Sequence, residues 1–143
     1  MKTYVDHIQI NVCDFRSALK FYKKLFSYLG YKRVSSGSGY IGVSNGTTDF
    51  WIMQRAEKYG DKDYHRKGAG INHIAFRAAS KEEIDKFARE FLQKEGVVPL
   101  YGSPRRFPEY TKGYYAVYFE GPDRIKLEVA FISNHVQKQF RLF

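Results

Sequence analysis

A chain of 143 residues, 43% hydrophobic and 17% aromatic, has enough apolar mass for one compact domain or two small interdependent halves. It contains no apolar run of the roughly 18 residues that a bilayer crossing needs, and its single cysteine, Cys13, excludes an intrachain disulfide and fits a reducing cytoplasm. Lys and Arg number 24 against 15 Asp and Glu, a formal charge of +9, but the cations are scattered and no recognition-helix or RNA-binding aromatic signature accompanies them. The charge therefore reads as a basic solvated surface, with an anionic small substrate as its functional alternative.

The chain opens with Met1-Lys2-Thr3 running straight into a strand, so no secretory leader is expected. Residues 4–12 alternate, with Ile8, Ile10 and Val12 on one face and Val5, His7, Gln9 and Asn11 on the other. Cys13 ends this strand and reads as a small buried thiol. Asp14 is placed to cap a helix whose stripe is Phe15, Ala18, Leu19, Tyr22, Leu25, Phe26 and Leu29, with Gly30 as its stop. Short strands near 31–36 and 39–44, a turn at Asn45-Gly46 and a strand over 48–55 complete a β-α-β-β-β unit. Residues 56–69, polar and charged with Gly60 and Gly68, read as a linker or lid between the halves.

The pattern then restarts. A strand over 70–78 leads to a capping box, Ser80 to Glu83, and a second stripe of Ile84, Phe87, Ala88, Phe91 and Leu92 ending at Gly96. A strand over 97–102 precedes a loop over 103–112, in which Arg105 and Arg106 lie between Pro104 and Pro108 as solvated side chains. Strands over 113–120 and 124–132 form a hairpin around Gly121-Pro122-Asp123, and a polar tail covers 133–143. The expected fold is α+β: one domain of two β-α-β-β-β repeats, 4–55 and 70–132, forming a cupped, mostly antiparallel sheet.

His7 and His73 stand at the same point of the two repeats. Parity turns His7 away from Ile8 and Ile10, His73 away from Ile74 and Phe76, and Glu128 away from Ile125, Leu127, Val129 and Phe131. Taken singly, each is an ordinary polar residue on a strand. Together, two repeat-equivalent imidazoles and one carboxylate on matching faces form a ligand set for Fe, Mn, Ni, Co or Zn, with coordination positions left for substrate or water. Gln9, Trp51, Met53, Tyr114, Ala116 and Tyr118 share that face and would line an aromatic cavity for a small organic ligand, or else fill the cup or a subunit interface. Tyr118 is a candidate acid or hydrogen-bond donor near the metal. Arg77 or Lys126 is a candidate grip for an anion. His65 in the linker and His135 in the tail read as exposed and inert.

Four stretches carry a resemblance: Asp6-His7-Ile8; Ala18-Leu19-Lys20-Phe21-Tyr22; Asn72-His73-Ile74-Ala75-Phe76; and Tyr118-Phe119-Glu120-Gly121-Pro122-Asp123 leading to Leu127-Glu128-Val129. They resemble the vicinal oxygen chelate superfamily of glyoxalase I, bleomycin-resistance proteins, fosfomycin-resistance enzymes and extradiol dioxygenases, over Tyr4 to Ile132. The resemblance implies that His7, His73 and Glu128 are metal ligands, Glu128 being the catalytic candidate in that capacity. It also implies a homodimer, with the site inside one chain or shared by two, and a metal that chelates two adjacent oxygens of a small substrate as a Lewis acid. Lyase, transferase and dioxygenase outcomes stay open, and no general base is nominated. Glyoxalase I takes a further ligand from the last strand of its first repeat, where this chain has Trp51, whose indole N–H only donates. Three-ligand members therefore fit better, although extradiol dioxygenases are usually longer and the potassium loop and phosphonate-binding basic residues of fosfomycin enzymes have no clear counterpart. The alternative is a non-catalytic sequestering protein of the bleomycin-resistance type, but the acidic cleft suited to that cationic drug is a poor match for a chain of charge +9.

Overall fold

Alternating and helical periodicities resolve into the expected element order, twice over. The computed structural model describes residues 3–60 and 64–133. Residues 61–63 of the expected linker, and the tail from 134 with His135, lie outside the described residues.

The first repeat runs β1 (His7–Val12), α1 (Phe15–Tyr28), β2 (Lys32–Gly37), β3 (Tyr40–Ser44) and β4 (Asp49–Gln54). Its four strands lie in the order β1-β4-β3-β2, with β1 parallel to β4 and the other pairs antiparallel. The second runs β5 (Ile74–Arg77), α2 (Lys81–Phe87), β6 (Leu100–Arg106), β7 (Tyr114–Glu120) and β8 (Lys126–Ile132), in the matching order β5-β8-β7-β6 with β5 parallel to β8. Each repeat is thus its own four-stranded mixed sheet with one helix on one face.

Local chemistry places the helices. Asp14 Oδ1 accepts from Ser17 N at 3.1 Å and starts α1, whose buried residues are Ala18, Tyr22, Leu25 and Phe26. The Phe26 ring lies 4.9 Å from that of Phe50 on β4. Ser80 Oγ accepts from Glu83 N at 3.2 Å, and Glu83 Oε2 accepts from Ala79 N at 2.8 Å, so the capping box forms around α2. A π-helical turn, Ala88–Leu92, continues α2, and Ile84, Phe87, Phe91 and Leu92 are buried, with Phe87 5.5 Å from Phe119 on β7. Each of these large side chains contributes about 1.5–3 kcal/mol by leaving water.

Four details differ from expectation. β1 begins at His7, leaving Tyr4 and Val5 exposed. β5 is short, so His73 immediately precedes its strand. β6 continues to Arg106, through residues expected in a loop. It is an edge strand, where Pro104 removes no ladder bond that another strand needs, and a register shift between Leu100 and Arg105 absorbs the extra residues. Cys13 is exposed rather than buried, because the chain leaves the sheet after Val12; its N–H donates to Asp123 Oδ2 at 3.0 Å.

The chain divides into two compact units. Among the described residues, one holds those up to Tyr64 together with Gly121–Asp123; the other holds His65–Glu120 and those from Arg124 onward. Among the described residues, no helix is long and apolar enough to cross a membrane.

Candidate functional site

The second unit gathers the most reactive set of side chains. Register sets Ala75 opposite Glu128 and Glu128 opposite Tyr118, so these residues share the face turned away from α2. Arg77, Ala130 and Ala116 occupy the next rung of the same face. Glu128 is wholly buried there. Tyr114 Oη donates to Glu128 Oε1 at 2.5 Å. His73 Nε2 stands 3.1 Å from Glu128 Oε2, and the His73 and Tyr118 rings meet edge to face at 5.9 Å.

The tautomer of His73 decides what that contact means. His73 Nδ1 lies 2.9 Å from Asn72 Oδ1, and an amide oxygen only accepts, so Nδ1 carries the proton. In the neutral ring Nε2 then presents its lone pair to the carboxylate. Glu128 Oε2 is buried and has no hydrogen-bond partner among the described residues. A buried carboxylate oxygen 3.1 Å from an imidazole nitrogen that is itself partly exposed calls for a cation or a proton between them. A divalent metal bound by imidazole nitrogen and carboxylate oxygen meets that need.

The two tyrosines beside Glu128 are donors. Burial, then the hydrogen bond to Glu128 and its charge, pushes the Tyr114 phenol up to about 12. The same causes, with Tyr114 added, drive Tyr118 far above the ordinary phenol value. Both keep their protons near neutrality, which gives Tyr118 the hydrogen-bonding role rather than that of a ready acid. Arg77 is exposed, and its charge acts on Tyr114 in the opposite sense.

The first unit repeats part of this design. His7 Nδ1 lies 2.9 Å from Asp6 Oδ2, so here too the preceding residue takes one ring nitrogen and leaves Nε2 available. Register sets His7 opposite Asp49, Gln9 opposite Trp51 and Asn11 opposite Met53. Gln9, Trp51 and Met53 therefore share the His7 face. Trp51 pairs with the residue two after His7, as Glu128 pairs with the residue two after His73, so the two are equivalent positions. Trp51 lies against Gly42, where an added Cβ would come within 2.7 Å of the indole. Among the described residues no group of three or more His, Cys, Asp and Glu side chains is placed to hold a metal. The structure brings His73 and Glu128 together in one unit, while His7 belongs to the other. Asp6 and Asn72 have no role in the sequence reading, although the signal was present: an Asp or Asn precedes the histidine of both repeats.

Comparison with known proteins agrees with this architecture. The sequence pattern of the Glyoxalase/Bleomycin resistance protein/Dioxygenase superfamily matches residues 4–129. YqjT of Bacillus subtilis (strain 168), an uncharacterized protein, is 35% identical over 123 residues, covering 86% of this chain and 94% of its own. The crystal structure of a proposed glyoxalase from Bacillus halodurans superposes with a TM-score of 0.80 at 32% identity, covering 89% of this chain and 94% of that one. The lactoylglutathione lyase of Agrobacterium tumefaciens shares the fold, with a TM-score of 0.63 at 19% identity over 91% of this chain and 94% of that one. With the two β-α-β-β-β sheets and the repeated histidines, these matches establish that the chain belongs to the Glyoxalase/Bleomycin resistance protein/Dioxygenase superfamily.

Proposed function

We propose that the protein is a divalent-metal-dependent enzyme acting on a small oxygen-bearing molecule. The supporting observation is the His73 Nε2 and Glu128 Oε2 pair, 3.1 Å apart, with the carboxylate oxygen buried and otherwise unsatisfied. His73 and Glu128 are two of the ligands. His7 is the third, assigned from its repeat-equivalent position and its oriented ring, and supplied by the same chain or by a second copy in a homodimer. The metal, one of Fe, Mn, Ni, Co or Zn, supplies Lewis-acid chemistry when bound, polarising two adjacent substrate oxygens.

The chain's own residues bind and orient. Asn72 fixes the His73 tautomer, Tyr114 holds Glu128, and Tyr118 offers a phenol proton as a hydrogen bond. Gln9, Trp51 and Met53 contact the organic part of the substrate, and Arg77 steadies negative charge on it. Lyase, transferase and dioxygenase outcomes share this arrangement. A cytoplasmic location, resting on the single cysteine, belongs to the same proposal.

Protein purified without an affinity tag is expected to carry about one metal per chain by elemental analysis, since binding couples to deprotonated ligands held by the fold. His73→Ala, Glu128→Gln and His7→Ala should each lower that content while circular dichroism stays native. Folded wild-type protein that takes up no Mn, Fe, Ni, Co or Zn would favour the second reading, a sequestering protein of the bleomycin-resistance type. That reading draws on the Trp51 and Tyr40 rings, 6.2 Å apart on the face opposite α1.

A further inference from the structure

Lys126 opens β8 and is only 8% exposed. Its Nζ lies 5.5 Å from the centroid of the Tyr118 ring and 5.6 Å from that of Tyr101. Among the described residues it forms no ion pair. The carboxylate across from it by register, Glu120, is engaged by Arg66 and Arg124. The carboxylate two residues along, Glu128, is engaged by Tyr114 and His73. Aromatic faces attract an ammonium but do not neutralise it, and a buried charge without a counterion is costly.

The wall beside Lys126 is built rather than incidental. Tyr101 has φ +59° and is followed by Gly102 at φ +61°, inside the register shift of β6. Left-handed backbone is uncommon for a bulky side chain and persists where surrounding contacts impose it. Here Ser103 imposes it: its buried hydroxyl donates to Leu100 O at 2.7 Å and accepts from Tyr118 N at 2.9 Å. Of the two rings beside Lys126, Tyr118 is buried and Tyr101 is 51% exposed, so the Tyr101 side is the one nearer solvent.

We propose that Lys126, between Tyr101 and Tyr118, is an oxyanion subsite that pairs with a carboxylate, phosphate or phosphonate group of the substrate. Lys126 and Glu128 lie two residues apart on one strand, hence on one face and about 6.6 Å apart along it. Resting on the metal reading for its other half, the substrate is a small anionic molecule whose chelating oxygens meet His73 and Glu128. Its oxyanion lies one strand repeat away. The overall charge of +9 favours the approach of such a molecule.

The test uses the full chain, without metal and loaded with Mn(II), titrated calorimetrically with inorganic phosphate, methylphosphonate and acetate. Lys126→Met, which keeps the length of the buried stem, should weaken the preferred oxyanion by about tenfold or more, and Lys126→Arg should retain most of the affinity. The ranking of the three probes assigns the oxyanion. Equal affinity in wild type and Lys126→Met overturns the proposal, as does wild-type protein that binds none of the probes. Should Lys126→Met fail to fold, the side-chain 15Nζ resonance of Lys126 in the wild type serves instead: a shift on adding the probe supports the subsite, and an unmoved resonance overturns it. Mn(II) binding, followed by its electron paramagnetic resonance signal, is expected to survive in Lys126→Met. Loss of Mn(II) uptake in the wild type with oxyanion binding intact defeats the metal reading alone.

Discussion

The two units carry the same imidazole device in different surroundings. In each, an Asp or Asn immediately before the histidine lies 2.9 Å from Nδ1, so Nε2 is the nitrogen outside that contact. His73 then meets a carboxylate buried to 0% exposure, whereas the His7 side chain is 60% exposed and its sheet offers Trp51 at the equivalent position. The adjacent strand differs reciprocally. Tyr118 faces Glu128 in the second unit, and Gly42 faces Trp51 in the first. One repeat has a small residue under a large ring; the other has a phenol ring beside a buried carboxylate. The two repeats thus share the histidine and its orienting partner, while the paired positions across the sheet differ, aromatic in one and acidic in the other.

The largest expected effect breaks the first half of that comparison. Gly42→Ala places a Cβ within 2.7 Å of the Trp51 ring, and relieving the overlap should cost about 1–3 kcal/mol. Urea unfolding measures it, with Trp51 fluorescence reporting the displaced ring. The double variant Gly42→Ala/Trp51→Leu should recover much of the loss. A neutral Gly42→Ala would show that the indole does not depend on the glycine.

The next effect sharpens the histidine comparison. Asn72→Ala frees the His73 ring next to a buried carboxylate and should weaken Mn(II) binding by about 10–100-fold, the usual cost of removing a residue that orients a ligand. Asp6→Ala acts on an exposed ring and should cost less. Calorimetry that ranks the two in reverse would move the centre of the site to the first unit.

The smallest effect concerns the packing of α2 on its sheet. Tyr115 Oη donates to Asp85 Oδ1 at 2.6 Å, and burial, that bond and the Asp85 charge push the phenol up to about 12. A raised value means that the folded state holds the proton more tightly than the unfolded chain, whose tyrosine titrates near 10. The associated stability is fully present below pH 10 and is lost as pH rises towards 12. Tyr115→Phe should cost about 1 kcal/mol at neutral pH and flatten the alkaline decline. An unchanged pH profile would deny the bond its role.

Periodicity and capping made most of the fold readable. The stripe from Phe15 to Leu29, the box from Ser80 to Glu83, and the parity that turns His7, Gln9, Trp51 and Glu128 away from the helices depend on residues near one another in the chain. What escaped depended on neighbours distant in sequence. Pro104, Arg105 and Arg106 read as loop residues because nothing local says that β6 is an edge strand, where a proline is tolerated. Cys13 read as buried because local pattern does not tell where the chain leaves a sheet. Asp6 and Asn72 stand beside the histidines in the resemblance stretches, but only the folded backbone sets their side-chain oxygens 2.9 Å from Nδ1.

From the sequence alone came the duplicated β-α-β-β-β order, the superfamily resemblance and the candidate ligands His7, His73 and Glu128, because side-chain alternation and helical spacing are properties of the unbranched chain. Only the tertiary structure decided that Glu128 is fully buried between Tyr114 and His73, that Trp51 rests on Gly42, and that Lys126 sits between two tyrosines with no ion pair among the described residues. Such facts arise from strand register and from the withdrawal of water. Both are set by which strands lie side by side, and burial is what makes an unpaired charge or acceptor matter.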